Sequence, residues 1–306
     1  MTMSDLDTLF PASTCRQIET EPGVHIQVRL VGEPQRPALL LLHGHPQTHA
    51  LWHKVAPALA QRYSLVLADL RGYGASSKPA GAADHGNYSK RTMALDMLRV
   101  MQALGHSRFN MLAHDRGARV AHRLAMDHGA AVRRLVLLDI APTLAMYGQT
   151  SEAFARAYWH WFFLIQPAPL PERLIEADPA AYIVDVMGRR SAGLQPFDPR
   201  ALAAYQAALA LPGAAHGLCE DYRAAAGIDL QHERADLDAG RKLAMPLLVL
   251  WGEHGAVHRC FKPLAEWRRL CDDVRGEALP CGHYIAEEAP QLLLDRVLPF
   301  FDAAVV

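Results

Sequence analysis

The chain has 306 residues, which is long enough for one α/β core with an insertion. Its 31 basic and 32 acidic side chains almost cancel, which argues against nucleic acid or an acidic membrane surface as a partner. Residues 1–7 contain no basic region followed by an apolar run, and no later stretch is apolar enough to span a bilayer. We therefore expect a cytoplasmic protein that is not exported.

The cysteines indicate the same compartment. They are odd in number, widely spaced and free of a Cys-x-x-Cys motif: Cys15, Cys219, Cys260, Cys271 and Cys281. This pattern predicts free thiols in a reducing environment.

The first strands of a sheet are predicted before residue 45. Residues 25–31 alternate in polarity like a half-exposed strand near an edge, and Ala38–Leu42 is a continuous apolar run typical of a buried strand. Four histidines follow closely: His43, His45, His49 and His53. Pro46 interrupts the helix that would align them, and no acid or cysteine cluster joins them, so we predict no metal site.

The next elements lead to a sharp turn. Residues 64–70 form another predicted buried strand, and the glycine-rich loop at 71–79 lacks the spacing of a phosphate-binding loop. Apolar residues then recur at helical spacing over residues 88–104, with Ser89 as a candidate N-cap.

Residues 109–119 form the stretch around which the chain is organised. A short apolar run gives way to Asp115, then Gly117, and then a helical pattern, which predicts a strand, a turn and a helix. This is the pattern of the nucleophile elbow of α/β-hydrolases, in which serine is the usual nucleophile. A carboxylate there can attack an alkyl carbon directly and form an ester. The alternative is that Asp115 merely caps the helix.

The loop after Ala38–Leu42 is a candidate part of the oxyanion hole. α/β-Hydrolases place there a backbone N–H that helps to form the oxyanion hole. We assign this role to the backbone N–H groups of His45 and Arg116.

The remaining pattern predicts a sheet domain with an insertion. Residues 135–140, 246–251 and 274–279 are further candidate strands, whereas the stretch after Pro142 is rich in alanine and aromatic residues and is interrupted by prolines and glycines. We predict an α/β-hydrolase fold with a mostly parallel central sheet flanked by helices. Its core domain would comprise residues 1–141 and 239–306, and a helical cap would comprise residues 142–238.

His283 is the candidate base, because it follows a glycine after the last predicted strand. Its supporting acid is either Asp139 or Glu253. The loop after residues 246–251 has Gly252 where an aspartate would be expected, so we prefer Asp139, which can reach the imidazole from the other side. The order Asp115, Asp139, His283 is then that of nucleophile, acid and histidine in this fold.

Arg116 and Arg119 lie three residues apart at the start of the predicted helix and share a face beside the nucleophile. Arginines gain nothing from the dipole at a helix start, so two of them suggest an anionic ligand, and a guanidinium can bind a carboxylate bidentately. The alternative is surface salt bridging. Arg123 continues the stripe, but we expect it to be too distant and solvated.

Five motifs resemble those of the fluoroacetate dehalogenases, the haloacetate-specific branch of the α/β-hydrolases, and the resemblance covers nearly the whole chain. They lie at residues 114–119, 138–142, 159–163, 219–224 and 281–288. The resemblance implies that Asp115 is the nucleophile, that His283 activates water and that Asp139 orients it. It also implies that Arg116 and Arg119 bind the substrate carboxylate.

The resemblance assigns the halide site to His160, Trp161 and Tyr222, and it implies a homodimer without cofactor. Imidazole, indole and phenol donors suit fluoride, a poor leaving group whose developing charge needs hydrogen bonds. The alternative for His160 and Trp161 is cap packing. Two departures stand out: His45 replaces a common phenylalanine, and residues 186–190 lack an expected tryptophan, which leaves the acceptance of bulkier acids open.

We therefore predict a cofactor-free hydrolase that converts a short 2-haloacid, such as fluoroacetate, to the hydroxyacid and halide. An epoxide hydrolase would share Asp115, Asp139 and His283 and would need only tyrosine donors such as Tyr222. A non-catalytic small-molecule receptor on the same scaffold is the third reading.

Overall fold

The computed structural model describes the backbone of residues 3–303 and the side chains of residues 6–303. Eight strands form one sheet in the order β1-β2-β4-β3-β5-β6-β7-β8. The pairs β1–β2 and β2–β4 are antiparallel, and every later pair is parallel. The strands are β1 Ser13–Glu21, β2 Val24–Val31, β3 Ala38–Leu42, β4 Ser64–Ala68, β5 Phe109–His114, β6 Val132–Leu138, β7 Leu247–Gly252 and β8 Val274–Leu279.

The central strands are buried on both faces, which explains their uninterrupted apolar sequences. Every residue of β3 and of β4 is buried, and full burial of one leucine contributes about 1.5–3 kcal/mol. The predictions for β2 to β8 are confirmed to within a few residues. β1 was not predicted from the sequence, because this edge strand is mostly exposed and polar.

Sixteen α-helices occur within residues 3–303. Outside the β6–β7 connection they are α1 Met3–Leu9, α2 Ala56–Leu59, α3 Lys90–Ala103, α4 Asp115–Asp127, α13 Ala256–Cys260, α14 Pro263–Arg268, α15 Ile285–Glu288 and α16 Pro290–Asp302. Short 3₁₀ helices cover His49–Lys54, Gly86–Tyr88 and Gly129–Ala131. Ser89 caps α3 as predicted, since its side chain accepts a hydrogen bond from the N–H of Thr92.

The connection between β6 and β7 carries eight helices joined by turns and loops, and it is the longest connection between two strands. It contains α5 Thr143–Gly148, α6 Glu152–Ala157, α7 Trp159–Leu164, α8 Leu170–Ala177, α9 Pro179–Gly188, α10 Pro199–Leu209, α11 Ala214–Ala226 and α12 Ile228–Asp238. Within it, α11 packs against α7, α8 and α12. Whether this segment is a separate cap domain with the boundaries 142–238 stays a prediction.

The sheet topology places the candidate residues at one edge. β5, β6, β7 and β8 run parallel, so their carboxyl ends meet, and ligands bind at that edge in α/β sheets. Asp115 follows β5, Asp139 follows β6, and His283 follows β8. In the described part of the chain, no helix is long and apolar enough to cross a membrane.

Candidate active site

Asp115 sits on a strained turn between β5 and α4. Its φ is +45°, in the left-handed region that residues other than glycine rarely adopt. It is the first residue of α4, and the residue in the N-cap position is His114, so Asp115 is not the helix cap. Gly117 allows the close approach behind it, because a Cβ there would lie 2.4 Å from the carbonyl oxygen of His43.

The loop after β3 holds the Asp115 carboxylate. The backbone N–H of His45 donates to Asp115 Oδ1 at 2.9 Å. A side chain at Gly44 would collide with Asp115, since a Cβ there would lie 2.5 Å from the Asp115 Cβ. The backbone N–H that we predicted for the oxyanion hole thus binds one carboxylate oxygen of Asp115.

His283 lies against Asp139. The distance from His283 Nδ1 to Asp139 Oδ2 is 2.5 Å, and the backbone N–H of Gly252 donates to Asp139 Oδ1 at 2.9 Å. Asp139 also has a positive φ, +50°. Glu253, the alternative acid, is exposed. The geometry therefore favours Asp139 as the partner of the imidazole.

The surrounding charges keep Asp115 ionised. Burial alone would raise its pKa, but electrostatic interactions with His283, His114 and the two arginines of α4 outweigh burial and hold the pKa below its ordinary value. The carboxylate form, which the predicted nucleophilic role requires, therefore predominates near neutral pH.

Arg116 is fully buried and paired, which differs from the surface salt bridge considered as an alternative. Its Nε and Nη2 donate to the two carboxylate oxygens of Asp221, each at 2.8 Å. Asp221 also accepts hydrogen bonds from Lys90 and from the hydroxyl of Tyr73. Arg116 Nη1 has no partner among the described residues, and the guanidinium lies 4.0 Å from the ring centroid of Tyr222.

Arg119 is buried without a carboxylate in salt-bridge contact among residues 6–303. Its Nη1 donates to the carbonyl oxygen of Ala141 at 3.1 Å and to the Thr143 hydroxyl at 2.9 Å. Its Nε lacks a partner, and its guanidinium lies over the ring of Trp161. Burial, and then the charge of Arg116, lower its pKa from the ordinary value.

The expectation that Arg123 is solvated was wrong. It is buried and donates to Asp236 at 2.5 Å and to Asp127 at 2.6 Å. Spacing along a helix gives the face of a residue and says nothing about what covers that face.

The three predicted halide-binding side chains come together, on α7 and α11. The ring centroids of His160 and Tyr222 are 6.0 Å apart, and those of Trp161 and Tyr222 are 6.3 Å apart. All three residues are buried, yet Trp161 Nε1 and the Tyr222 hydroxyl have no hydrogen-bond partner in the described chain. Buried donors usually have partners, so these two suggest a ligand with acceptor atoms.

His45 belongs to this cluster as well as to the loop. Its ring stacks on His160 with centroids 5.4 Å apart and planes 7° apart. Burial, together with the charges of Arg116 and Arg190, lowers the pKa of His45 to about 3, and burial lowers that of His160 well below its ordinary value. Both imidazoles are therefore neutral near pH 7.

The sequence analysis missed three residues of the site. His114 Nε2 lies 2.9 Å from the carbonyl oxygen of His283, and Tyr158 places its ring 6.3 Å from that of His283. Arg190 lies over Tyr158, with its guanidinium carbon 4.6 Å from the ring centroid. The position of His114 beside Asp115 was a usable signal, whereas nothing in the local pattern pointed to Arg190.

The four histidines at residues 43–53 have separate partners. His43 Nδ1 lies 3.0 Å from the carbonyl oxygen of Gly44, and His49 Nδ1 lies 2.8 Å from Asp69. His53 Nδ1 lies 2.9 Å from the carbonyl oxygen of Ala50. Over the described residues there is no cluster of three or more His, Cys, Asp or Glu side chains arranged to hold a metal ion.

The fold and this arrangement agree with a family match. A family model of the alpha/beta hydrolase fold matches residues 37–290. The chain belongs to the α/β-hydrolase fold family, as the elbow motif predicted, and is a hydrolase.

Individual relatives indicate which branch of the α/β-hydrolases the chain resembles. The chain is 46% identical over 255 residues to a fluoroacetate dehalogenase from a Burkholderia species, with 83% of each chain covered. It is 32% identical over 269 residues to a soluble epoxide hydrolase from a Corynebacterium species, covering 86% of this chain and 89% of that one. The crystal structure of a putative α/β hydrolase from a Nostoc species matches with a TM-score of 0.90 at 47% identity, covering 96% of this chain and 99% of that chain. These similarities confirm the resemblance identified from the sequence.

Proposed function

We propose that the enzyme hydrolyses the carbon–halogen bond of a short 2-haloacid and converts fluoroacetate to glycolate and fluoride. The observation that carries this proposal is a buried, ionised aspartate at the elbow beside two buried guanidinium groups. Arg116 Nη1 and Arg119 Nε lack partners and are free to bind a carboxylate. The dehalogenase relative from Burkholderia supports the same activity.

The reaction has two steps. An oxygen of Asp115 attacks the carbon that carries the halogen, forms an ester, and the halide leaves with the bonding electrons. The Trp161 N–H, the Tyr222 hydroxyl and His160 would stabilise the departing halide.

In the second step, His283 removes a proton from water, and the resulting hydroxide attacks the ester carbonyl. The backbone N–H groups of His45 and Arg116 stabilise the oxyanion, and Asp139 orients the imidazole and stabilises its charged form. The intermediate then collapses, and the protonated His283 returns its proton to the leaving alkoxide, which releases the hydroxyacid. Loss of the remaining proton to solvent regenerates the Asp115 carboxylate.

A single turnover in heavy-oxygen water tests the ester. The product of the first turnover should contain light oxygen from Asp115, because water enters only at the ester carbonyl. In His283→Ala, alkylation should proceed and hydrolysis should stop, so fluoroacetate should increase the mass of the protein by one carboxymethyl group. Solvent oxygen in the product of the first turnover would exclude the covalent route.

An epoxide hydrolase is the second candidate, and the free hydroxyl of Tyr222 favours it, because a phenol can protonate an epoxide oxygen. The Corynebacterium relative supports this candidate. Fluoride release from fluoroacetate, measured with a selective electrode, and diol formation from a simple epoxide separate the two activities. A binding protein without catalysis would show neither.

We also propose that the enzyme is a cytoplasmic homodimer that needs no cofactor. Large apolar side chains are exposed on helices of the β6–β7 connection, including Trp159, Leu170, Leu174 and Val184, and such surfaces often form subunit contacts. Light scattering should give twice the mass of one chain. A monomer at micromolar concentration would contradict the dimer.

A further inference from the structure

A cavity with a basic wall lies between His283 and the loop that follows β7. It has a volume of about 170 Å³, which is large enough for several water molecules. Arg189, Arg190, Arg259 and His254 contribute to its wall, and no carboxylate lines it. This composition favours an anionic occupant.

Arg190 is the unusual member of this wall. It is half-buried, and no carboxylate of the described residues lies within ion-pair distance, whereas its neighbour Arg189 lies 3.6 Å from Asp185. Its guanidinium packs on Tyr158, whose ring centroid is 5.3 Å from that of His160. Burial opposes its charge, but attraction to the surrounding groups, Tyr158 first and the Asp115 carboxylate among them, outweighs burial and raises the pKa of Arg190. A charged guanidinium therefore lines the cavity and can attract an anion.

The charge of Arg190 acts on the reacting groups. It contributes to lowering the pKa of both His160 and His45, and it interacts with the Asp115 carboxylate. Arg190 therefore connects the cavity to the predicted halide site in two ways. Its guanidinium packs on Tyr158, which lies beside His160, and its charge acts on the pKa of His160.

The reacting groups need such a connection because they are enclosed. Asp115 is 3% exposed, and Arg116 and Tyr222 are both 0% exposed. Larger cavities of about 260, 290 and 1040 Å³ contain none of the predicted site residues. The cavity at His283, in contrast, includes a member of the candidate triad.

We infer that this cavity is the access route of the anionic substrate and that Arg190 binds the carboxylate there before Arg116 and Arg119 receive it. The inference rests on the proposed function, because it takes a small carboxylate as the substrate. Arg190 would thus determine which molecules reach Asp115, and neutral molecules of the same size would be admitted poorly.

The test compares three variants on fluoroacetate and chloroacetate over a range of ionic strength. Arg190→Gln removes the charge, and Arg190→Lys keeps it. Arg16→Gln makes the same charge change on β1, at the opposite edge of the sheet from β7 and β8. Calorimetric titration with acetate and with neutral acetamide measures binding without turnover.

Arg190→Gln should lower kcat/KM about tenfold at low salt, mainly through KM, and should flatten its dependence on ionic strength. It should weaken acetate binding by a similar factor and leave the weak binding of acetamide unchanged. Arg190→Lys should retain most of both properties, and Arg16→Gln should match the parent.

Each contrary result has a separate meaning. If the parent enzyme releases halide and Arg190→Gln retains its KM, its salt dependence and its acetate affinity, the access route is refuted. A loss confined to kcat would also refute it, because Arg190 would then act on the chemical step. If the parent releases no halide, the proposed function fails, and the acetate titration still decides whether Arg190 binds a carboxylate.

Discussion

The two sides of the candidate site are built differently. On the sheet side, both carboxylate oxygens of Asp139 are bonded, one to His283 and one to the N–H of Gly252, and Asp115 accepts the N–H of His45. On the helical side, Trp161 Nε1 and the Tyr222 hydroxyl are buried and have no partner in the described chain. The two aspartates of the sheet side thus have hydrogen-bond partners within the protein, whereas the two donors of the helical side lack acceptors.

This difference distinguishes groups that hold the candidate triad in position from donors that could bind a ligand. An unpaired buried donor costs about 1–3 kcal/mol, so two of them in one place are expected only where a ligand repairs the loss. The sheet side should therefore control the hydrolysis of an ester, and the helical side should control which leaving group departs.

The largest expected effect is on the sheet side. Asp139→Asn would leave His283 without its charged partner and should lower kcat by about 10⁴-fold, as for the corresponding change in a serine protease. Single-turnover kinetics should show that ester hydrolysis slows while ester formation continues. Glu253→Gln is the matched control and should have little effect. The reverse ranking would move the supporting acid to Glu253.

The arginines should give intermediate effects. Loss of a charge-assisted hydrogen bond typically costs about 1.5–3 kcal/mol, so Arg119→Gln should reduce kcat/KM by about ten- to a hundredfold for fluoroacetate and chloroacetate alike. Arg116→Gln should lose activity similarly.

Unlike Arg119→Gln, Arg116→Gln also removes one partner of a buried ion pair, which typically costs about 3–5 kcal/mol of folding free energy. Lys90 still contacts Asp221 and should limit this loss. Urea unfolding of both variants measures the difference. Unchanged activity in both would remove the haloacid assignment.

Changes on the helical side should be smaller but selective. His160→Ala, Trp161→Phe and Tyr222→Phe each remove one neutral donor, worth about 0.5–1.5 kcal/mol or up to about tenfold. Fluoride depends on such donors more than chloride, so defluorination should fall more than dechlorination. Rates of release of the two halides from matched substrates provide the measurement. Equal losses for both halides in all three variants would leave these residues as packing.

The last prediction concerns stability instead of turnover, and it involves a buried acid whose hydrogen-bond partners do not offset its burial. Glu287 accepts hydrogen bonds from Gln47 at 2.5 Å and Tyr205 at 3.1 Å, yet burial raises its pKa from 4.5 to about 8. The folded protein therefore binds a proton that the unfolded chain has released between these values, so the free energy of unfolding should decrease as pH rises from about 4.5 to about 8.

Urea unfolding at pH 5 and pH 8 tests this sign. Glu287→Gln should lose less stability over the interval than the parent protein, because it cannot titrate. Glu152→Gln, which changes an exposed acid, should behave like the parent. An identical loss in the parent protein and in Glu287→Gln would show that Glu287 is not responsible.

Most strands of the sheet could be predicted from the sequence, because buried parallel strands have continuous apolar sequences. β1 was missed because Arg16, Gln17 and Glu19 give it the composition of a loop, and its strand character comes from pairing with β2. A local pattern carries no information about such a partner.

The site was readable where its chemistry lies in a compact motif. The turn that carries Asp115 and the glycine before His283 can each be recognised from a few neighbouring residues. Asp221 is 105 residues from Arg116, however, and no spacing rule connects them. Arg190 was likewise missed, because its role depends on the helical segment folding back over the sheet edge.

The positive φ angles of Asp115 and Asp139 have a consequence for laboratory evolution. Each such conformation costs of order 1–3 kcal/mol, and glycine adopts it without that cost. Glycine at either position would relieve this backbone strain, and it would also remove a carboxylate that the proposed reaction requires. A screen for more thermostable variants of this protein would therefore need to measure turnover at every round, because a stable variant with glycine at either position would be inactive.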